Sequence, residues 1–253
     1  MNPFNLAGRR ALITGASRGI GHAIATALAA AGAHVVINGR TPAALDEAAA
    51  VIRATGARVD VSSFDVTDST QVDAGVDAIE REIGPLDILV NNAGIQRRAP
   101  LEKFSDADWH ALVAHNLDSV FFVSRAAARH MIPRGRGKII NIGSVQCELA
   151  RPTIAPYTAT KGAVRNLTRG MCADWAGHGL QVNAICPGYF DTPLNKALVE
   201  NPDFDAWLRK RTPAGRWGRL EDLHGVAVFL ASGASDFVNG QMIYVDGGIT
   251  AAI

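Results

Sequence analysis

A chain of 253 residues, 48% hydrophobic and 19% charged, is long enough to bury one sizeable core and suits a single α/β domain. Its 25 basic and 24 acidic residues leave a formal net charge of +1, which excludes the strong one-signed field of a nucleic-acid binder or a protein of anionic membrane surfaces. Small molecules are therefore the expected partners, with no nucleic acid and no membrane.

Along the chain, apolar runs of strand length alternate with longer stretches of helical period. Strands are predicted over residues 11–14, 35–38, 59–64, 88–90, 138–142, 182–184 and 242–245, and helices over 20–31, 42–55, 69–83, 106–131, 157–176 and 221–230. This alternation predicts repeated βαβ units and a parallel sheet buried on both faces. The least regular segment is 187–219, where Pro193, Pro202 and Pro213 interrupt a weak helical pattern carrying Phe204, Trp207 and Leu208. A segment of that length in a compact domain is expected to be a lid over a site. No linker-like composition divides the chain, so 1–253 reads as one domain. The start lacks the cationic and then apolar pattern of a secretory signal, and no apolar run approaches the roughly 18 residues that span a bilayer. The cysteines Cys147, Cys172 and Cys186 show neither CxxC spacing nor a companion histidine set, so no metal is expected and a reducing, cytoplasmic location fits.

Directly after the first strand stands Thr14-Gly15-Ala16-Ser17-Arg18-Gly19-Ile20-Gly21, followed by an alanine-rich helix. A strand feeding a glycine turn and a helix start offers backbone N–H groups and the positive end of the helix dipole to a diphosphate. The spacing is GxxxGxG, and a glycine cluster alone can equally serve as a tight turn. About twenty residues further on, the second strand of such a fold ends beside the adenosine ribose and sets the choice between NAD and NADP. There the chain reads Asn38-Gly39-Arg40-Thr41, with no carboxylate for a free 2′-hydroxyl. Arg18 and Arg40 can both reach a 2′-phosphate, each charge-assisted contact being worth roughly 1.5–3 kcal/mol, so NADP(H) is the expected cofactor. Asp65, with Val66 beside it, is placed to accept a hydrogen bond from the adenine amino group. Asn92, Ala93 and Gly94 offer small and amide residues where backbone must pass close to a cofactor.

Tyr157 and Lys161 lie four apart in a helical segment, so both side chains share one face. Moving a hydride from an alcohol carbon requires a base for the hydroxyl proton, and a phenol with a pKa of about 10 needs a nearby cation to serve at neutral pH. Lys161 is the expected cation. Ser144, at the end of a predicted strand, can hydrogen-bond the reacting oxygen, and Asn116 can position a water that feeds protons to Lys161.

These motifs together, with Pro187-Gly188, resemble the full motif series of the short-chain dehydrogenase/reductase family, over essentially the whole chain. The resemblance implies a Rossmann-type, doubly wound parallel sheet of seven strands with helices on both faces. It also implies a catalytic set of Asn116, Ser144, Tyr157 and Lys161, a cofactor site over Gly15, Ser17, Arg18, Gly19, Ile20, Gly21, Arg40, Asp65, Val66, Asn92, Ala93, Gly94, Tyr157, Lys161, Pro187 and Gly188, and a homotetramer. Gly143 departs from the pattern, because many relatives carry serine there.

The substrate has to be read from the variable segments. Arg97 and Arg98 follow the fourth strand at the expected rim, where a guanidinium pairs a carboxylate bidentately. Gln146, Glu148 and Arg151 add polar groups suited to hydroxyls, a lining that disfavours steroids and fatty chains. The expected substrate-binding set is Arg98, more than Arg97, with Ser144, Gln146 and Tyr157. Residues 92–101, 129–138, 145–166 and 210–218 resemble family members acting on sugar acids, which implies a sugar-acid substrate. From the residues alone, another oxo-acid, a sugar or a 3-oxoacyl thioester on a carrier protein stays open, as does a cofactor-binding relative without turnover. An acidic carrier calls for a basic docking face, of which the charge balance gives no sign, and a relative without turnover is marked by loss of the tyrosine or lysine.

Overall fold

A computed structural model describes residues 2–252. Among them, strands β1 (Arg10–Ile13), β2 (His34–Gly39), β3 (Val59–Ser63), β4 (Ile88–Asn91), β5 (Gly137–Ile142), β6 (Leu180–Pro187) and β7 (Met242–Val245) form one seven-stranded sheet. All of its pairings are parallel, in the order β3-β2-β1-β4-β5-β6-β7. The strand read from residues 182–184 is longer than its apolar core. Pairing with β5 begins at Leu180 and pairing with β7 continues to Pro187, so neighbouring ladders set its ends.

The helices in chain order are α1 (Gly19–Ala30), α2 (Pro42–Arg53), α3 (Ser69–Ala78), α4 (Asp106–Val113), α5 (Ser119–Arg134), α6 (Ala155–Trp175), α7 (Lys196–Val199), α8 (Pro202–Arg211) and α9 (His224–Ala231). Side chains alternate across each strand with period two, so Ala11 and Ile13 face one apolar layer while Leu12 faces the other. Val35 and Ile37 against Val36, and Ile88 and Val90 against Leu89, repeat the division. Ile24 and Leu28 of α1, Leu45 and Ile52 of α2, and Leu230 of α9 close the first layer. Val72 and Val76 of α3, Val123 and Met131 of α5, and Val164 and Met171 of α6 close the second. Each large aliphatic side chain so enclosed contributes about 1.5–3 kcal/mol relative to exposure.

Two predicted elements come out differently. The helix expected over 106–131 is interrupted by a π-helical turn, Ala114–Asp118, which lies between α4 and α5 and carries Asn116. Such turns insert a residue into the helical ladder and collect at functional positions. The segment 187–219 is more ordered than its prolines suggest, since it holds α7 and α8. Pro202 occupies the first turn of α8, where its missing N–H costs nothing, and Asn201 caps the helix by accepting from the Phe204 N–H at 3.0 Å.

The strand order reverses between β1 and β4, so the connections leaving these neighbours run to opposite faces. A crevice opens at such a switch point beyond the carboxyl ends of the strands. Both glycine-bearing segments, after β1 and after β4, lie there.

Candidate active site

The turn after β1 is shaped by close backbone approach. Gly15 and Gly19 sit at φ +62° and +61°, in the region that favours glycine. A Cβ on Gly15 would stand 2.8 Å from the Ala93 Cα, so no side chain fits. The Asn92 amide donates to the carbonyls of Thr14 and Gly15 at 2.9 and 3.0 Å, and the Thr14 hydroxyl accepts from the N–H groups of Asn92 and Ala93 at 3.0 and 3.1 Å. Asn92 therefore welds the glycine turn to the end of β4. Gly21 packs under the same amide, where any side chain would collide with it.

No side chain caps α1, which leaves its first-turn N–H groups open toward the crevice. This uncapped N-terminus beside a side-chain-free turn fits a dinucleotide diphosphate. Ser17, Arg18, Gly19, Ile20, Arg40, Asp65, Val66, Asn92, Ala93, Gly94, Pro187 and Gly188 share one cleft of about 1180 Å³ with Gly15 and the residues of the catalytic set. That volume suits a dinucleotide plus a small substrate. Gly21 is not among the lining residues, and its part is the close approach just described. Burial works against the charged form of Asp65, but hydrogen bonds from the backbone and hydroxyl of Thr67, with the charges of Arg40 and His115, outweigh it and hold the carboxyl below its usual range.

Helix α6 brings Tyr157 and Lys161 to the floor of the cleft, and the turn after β5 brings Ser144 beside them. The buried Lys161 ammonium donates to the Ile142 carbonyl at 2.7 Å and lies 5.7 Å from the centre of the Tyr157 ring. Burial lowers its pKa. The Tyr157 phenol is pushed up to about 12 by burial, against which a hydrogen bond to Ser144 and the charge of Arg98 act in the lowering direction. The lysine donates to a strand carbonyl, and the charge of Arg98 acts in the direction that favours the phenolate.

Asn116 is buried, and its side chain both accepts from the Ile95 N–H at 2.8 Å and donates to the Ile95 carbonyl at 3.0 Å. It also reaches the Thr160 hydroxyl at 3.4 Å, so the π-helical turn clamps the loop after β4 onto α6. A Cβ on Gly94 would meet the Asn116 oxygen at 3.0 Å.

At the rim the two neighbouring arginines part. Arg97 pairs with Asp108 at 3.1 Å and is not among the lining residues, whereas Arg98 faces the cleft. Gln146 is buried with its side-chain oxygen unpartnered among the described residues. Arg151, read from the sequence only as a polar group for hydroxyls, stands in the same wall. Tyr189, Thr192, Pro193, Asn195 and Leu198 line the cleft from the segment that leads into α8. Of these, only Pro193 stands out in the sequence, as an interruption of the helical pattern.

Residues 15–250 match the family model described as Enoyl-(Acyl carrier protein) reductase. Gluconate 5-dehydrogenase of Gluconobacter oxydans is 62% identical over 250 residues, covering 99% of this chain and 98% of that protein. The chain belongs to the short-chain dehydrogenase/reductase family. Among its relatives in that family, the 5-keto-D-gluconate 5-reductase of Escherichia coli K12 is 52% identical over 99% of this chain and 98% of its own. A crystal structure of a gluconate 5-dehydrogenase from Burkholderia cenocepacia, in complex with NADP and tartrate, superposes with a TM-score of 0.98 at 61% identity, covering 100% of this chain and 99% of that one. The sheet of this short-chain dehydrogenase/reductase is the one expected of the family, and the enzyme is an oxidoreductase. Among the described residues no helix is long and apolar enough to cross a membrane.

Proposed function

We propose that the enzyme interconverts D-gluconate and 5-keto-D-gluconate with NADP(H). The observation that carries this reading is the convergence of Ser144, Tyr157 and Arg98, which has no carboxylate partner among the described residues, on one cleft beside a turn that fits a dinucleotide diphosphate. The relatives named gluconate 5-dehydrogenase and 5-keto-D-gluconate 5-reductase support it, and so does the neighbour holding NADP and tartrate, a hydroxy acid.

The cofactor, when bound, supplies or takes up the hydride at the reacting carbon. Gly15, Ser17, Gly19 and Ile20 hold its diphosphate, Arg18 and Arg40 its 2′-phosphate, Asp65 and Val66 its adenine, and Asn92, Ala93, Gly94, Pro187 and Gly188 flank its inner half. Lys161, with one N–H on Ile142, has two donors left for ribose hydroxyls. In reduction the Tyr157 phenol gives its proton to the carbonyl oxygen that becomes the hydroxyl, and in oxidation the phenolate takes that proton back. The Ser144 hydroxyl donates to the same oxygen and holds it against Tyr157. Asn116 acts by fixing the loop after β4, which fixes where Arg98 stands. Gln146 offers its unpartnered oxygen to a substrate hydroxyl, and Arg98 meets the carboxylate. The segment 187–219 closes over the occupied site and excludes water.

We further propose a cytoplasmic homotetramer. Exposed Trp109 on α4 and Phe121 on α5 support burial of these helices against a partner subunit. The deciding experiment is NADPH consumption by purified enzyme over a panel of keto sugar acids, oxo-acids and 3-oxoacyl thioesters. Preference for 5-keto-D-gluconate bears the reading out, and preference for a thioester replaces it with a carrier-protein reductase.

A further inference from the structure

Besides Arg18 and Arg40, assigned above to the cofactor's 2′-phosphate, two guanidinium groups line the cleft with no carboxylate partner among the described residues. Around them Arg97, Arg165, Arg209 and Arg216 are each committed to a carboxylate. Arg98 and Arg151 have none among the described residues, and the buried Nε of Arg151 has no hydrogen-bond partner. Both line the cleft, and Arg98 lies within electrostatic reach of Arg151, Tyr189 and Tyr157.

The chain invests structure in holding them together. Arg98 is carried on the loop after β4 and Arg151 on the loop before α6, and the Ala99 N–H donates to the Thr153 carbonyl at 3.1 Å, splicing one loop to the other. Thr153 sits at φ +72°, a conformation a β-branched residue adopts only under constraint from its surroundings. The Arg151 guanidinium is also held from above, with its Cζ 5.6 Å from the centre of the Phe204 ring of α8. Phe204 is itself packed among Tyr189, Trp207 and Trp217. That contact favours the orientation in which the guanidinium faces the cleft.

We propose that Arg151 is a specificity-determining residue which, together with Arg98, grips the carboxylate of the substrate and selects acids over uncharged sugars. This deepens the reading of a sugar-acid substrate and rests on it. Burial and the charge of Arg151 both disfavour the charged form of Arg98. A carboxylate, with two oxygens for two guanidinium groups, relieves that repulsion and satisfies their donors. An uncharged sugar leaves the repulsion in place.

The test compares wild type with Arg151→Ala and Arg151→Lys, using NADPH and either 5-keto-D-gluconate or its methyl ester, which keeps the carbon frame and removes the charge. The expected result is a 10- to 100-fold loss of the acid-over-ester ratio of kcat/KM in Arg151→Ala, carried by KM for the acid. The lysine variant should recover only part of it, because the charge returns without the planar fork. If acid and ester fall by the same factor, or the ratio does not move, Arg151 is only a structural neighbour of Phe204 and the proposal is overturned. A second arm titrates the enzyme–NADPH complex with D-gluconate, other hydroxy acids and their amides by tryptophan fluorescence. Acid selectivity that depends on Arg151, in an enzyme that leaves 5-keto-D-gluconate unreduced, keeps the grip and removes the substrate. Equal binding of acid and amide by wild type removes the grip even where 5-keto-D-gluconate is reduced.

Discussion

Gly143 lies against the Cys186 thiol, so that a Cβ on the glycine would stand 2.7 Å from Sγ and 3.3 Å from Sγ of Cys147. Both cysteines are buried in a small cluster behind the catalytic turn, and Cys186 is fully enclosed by its neighbours. The glycine that departs from the family pattern is therefore matched to a sulfur on the adjacent strand. Gly143→Ser should overpack this spot and cost about 1–3 kcal/mol. Cys186→Ala in the same chain should return part of the loss, a coupling that a double-mutant cycle of thermal unfolding measures. Equal loss with and without the sulfur would show that the contact is not what excludes serine.

Tyr157→Phe keeps the ring and removes the hydroxyl proposed to carry the proton. NADPH should still bind, as titrated by its fluorescence, while turnover falls by at least the 10²–10⁴-fold typical of general acid–base groups. Retained turnover would sink the assigned role.

The pH dependence follows from the sign of the tyrosine shift. A phenol raised to about 12 keeps its proton throughout the neutral range, so it is ready as an acid for carbonyl reduction and is scarce as a base for alcohol oxidation. Oxidation should rise with pH, close to tenfold per unit while the phenol stays mostly protonated, and reduction should hold nearly level from pH 6 to about 8. Because Arg98 acts on the phenol in the lowering direction, Arg98→Ala should move the oxidation profile to higher pH. Initial rates in both directions across a buffer series read this directly.

Neighbouring arginines should behave unlike each other. Arg98→Ala should raise KM for the sugar acid by one to two orders of magnitude, the loss of a charge-assisted contact of about 1.5–3 kcal/mol. Arg97→Ala breaks the exposed pair with Asp108 and an exposed hydrogen bond to the Gln96 carbonyl, and such pairs contribute about 0–1 kcal/mol, so KM should change by less than about threefold. Reversal of the two outcomes would reassign the carboxylate contact.

Cofactor choice is tested at the adenosine end. Arg40→Ala should lower kcat/KM for NADPH by about 10- to 100-fold and leave NADH far less affected, the outcome expected of a guanidinium whose charge serves the 2′-phosphate. Equal loss for both cofactors would place Arg40 in general packing.

Local order was legible in the residues themselves. Strand and helix periods, the glycine turn, and the shared face of Tyr157 and Lys161 depend on contacts a few positions apart, and those are written in the spacing of apolar and special residues. Tertiary structure alone decided what depends on distant neighbours. It ended β6 by pairing with β5 and β7, placed a π-helical turn under Asn116, and turned Arg97 to Asp108 while leaving Arg98 open. It also tied Lys161 to Ile142 and brought Arg151 beneath Phe204. Burial, like-charge repulsion and the partner a flexible side chain finds are set by which surfaces the sheet brings together, and no local pattern in the chain encodes that meeting.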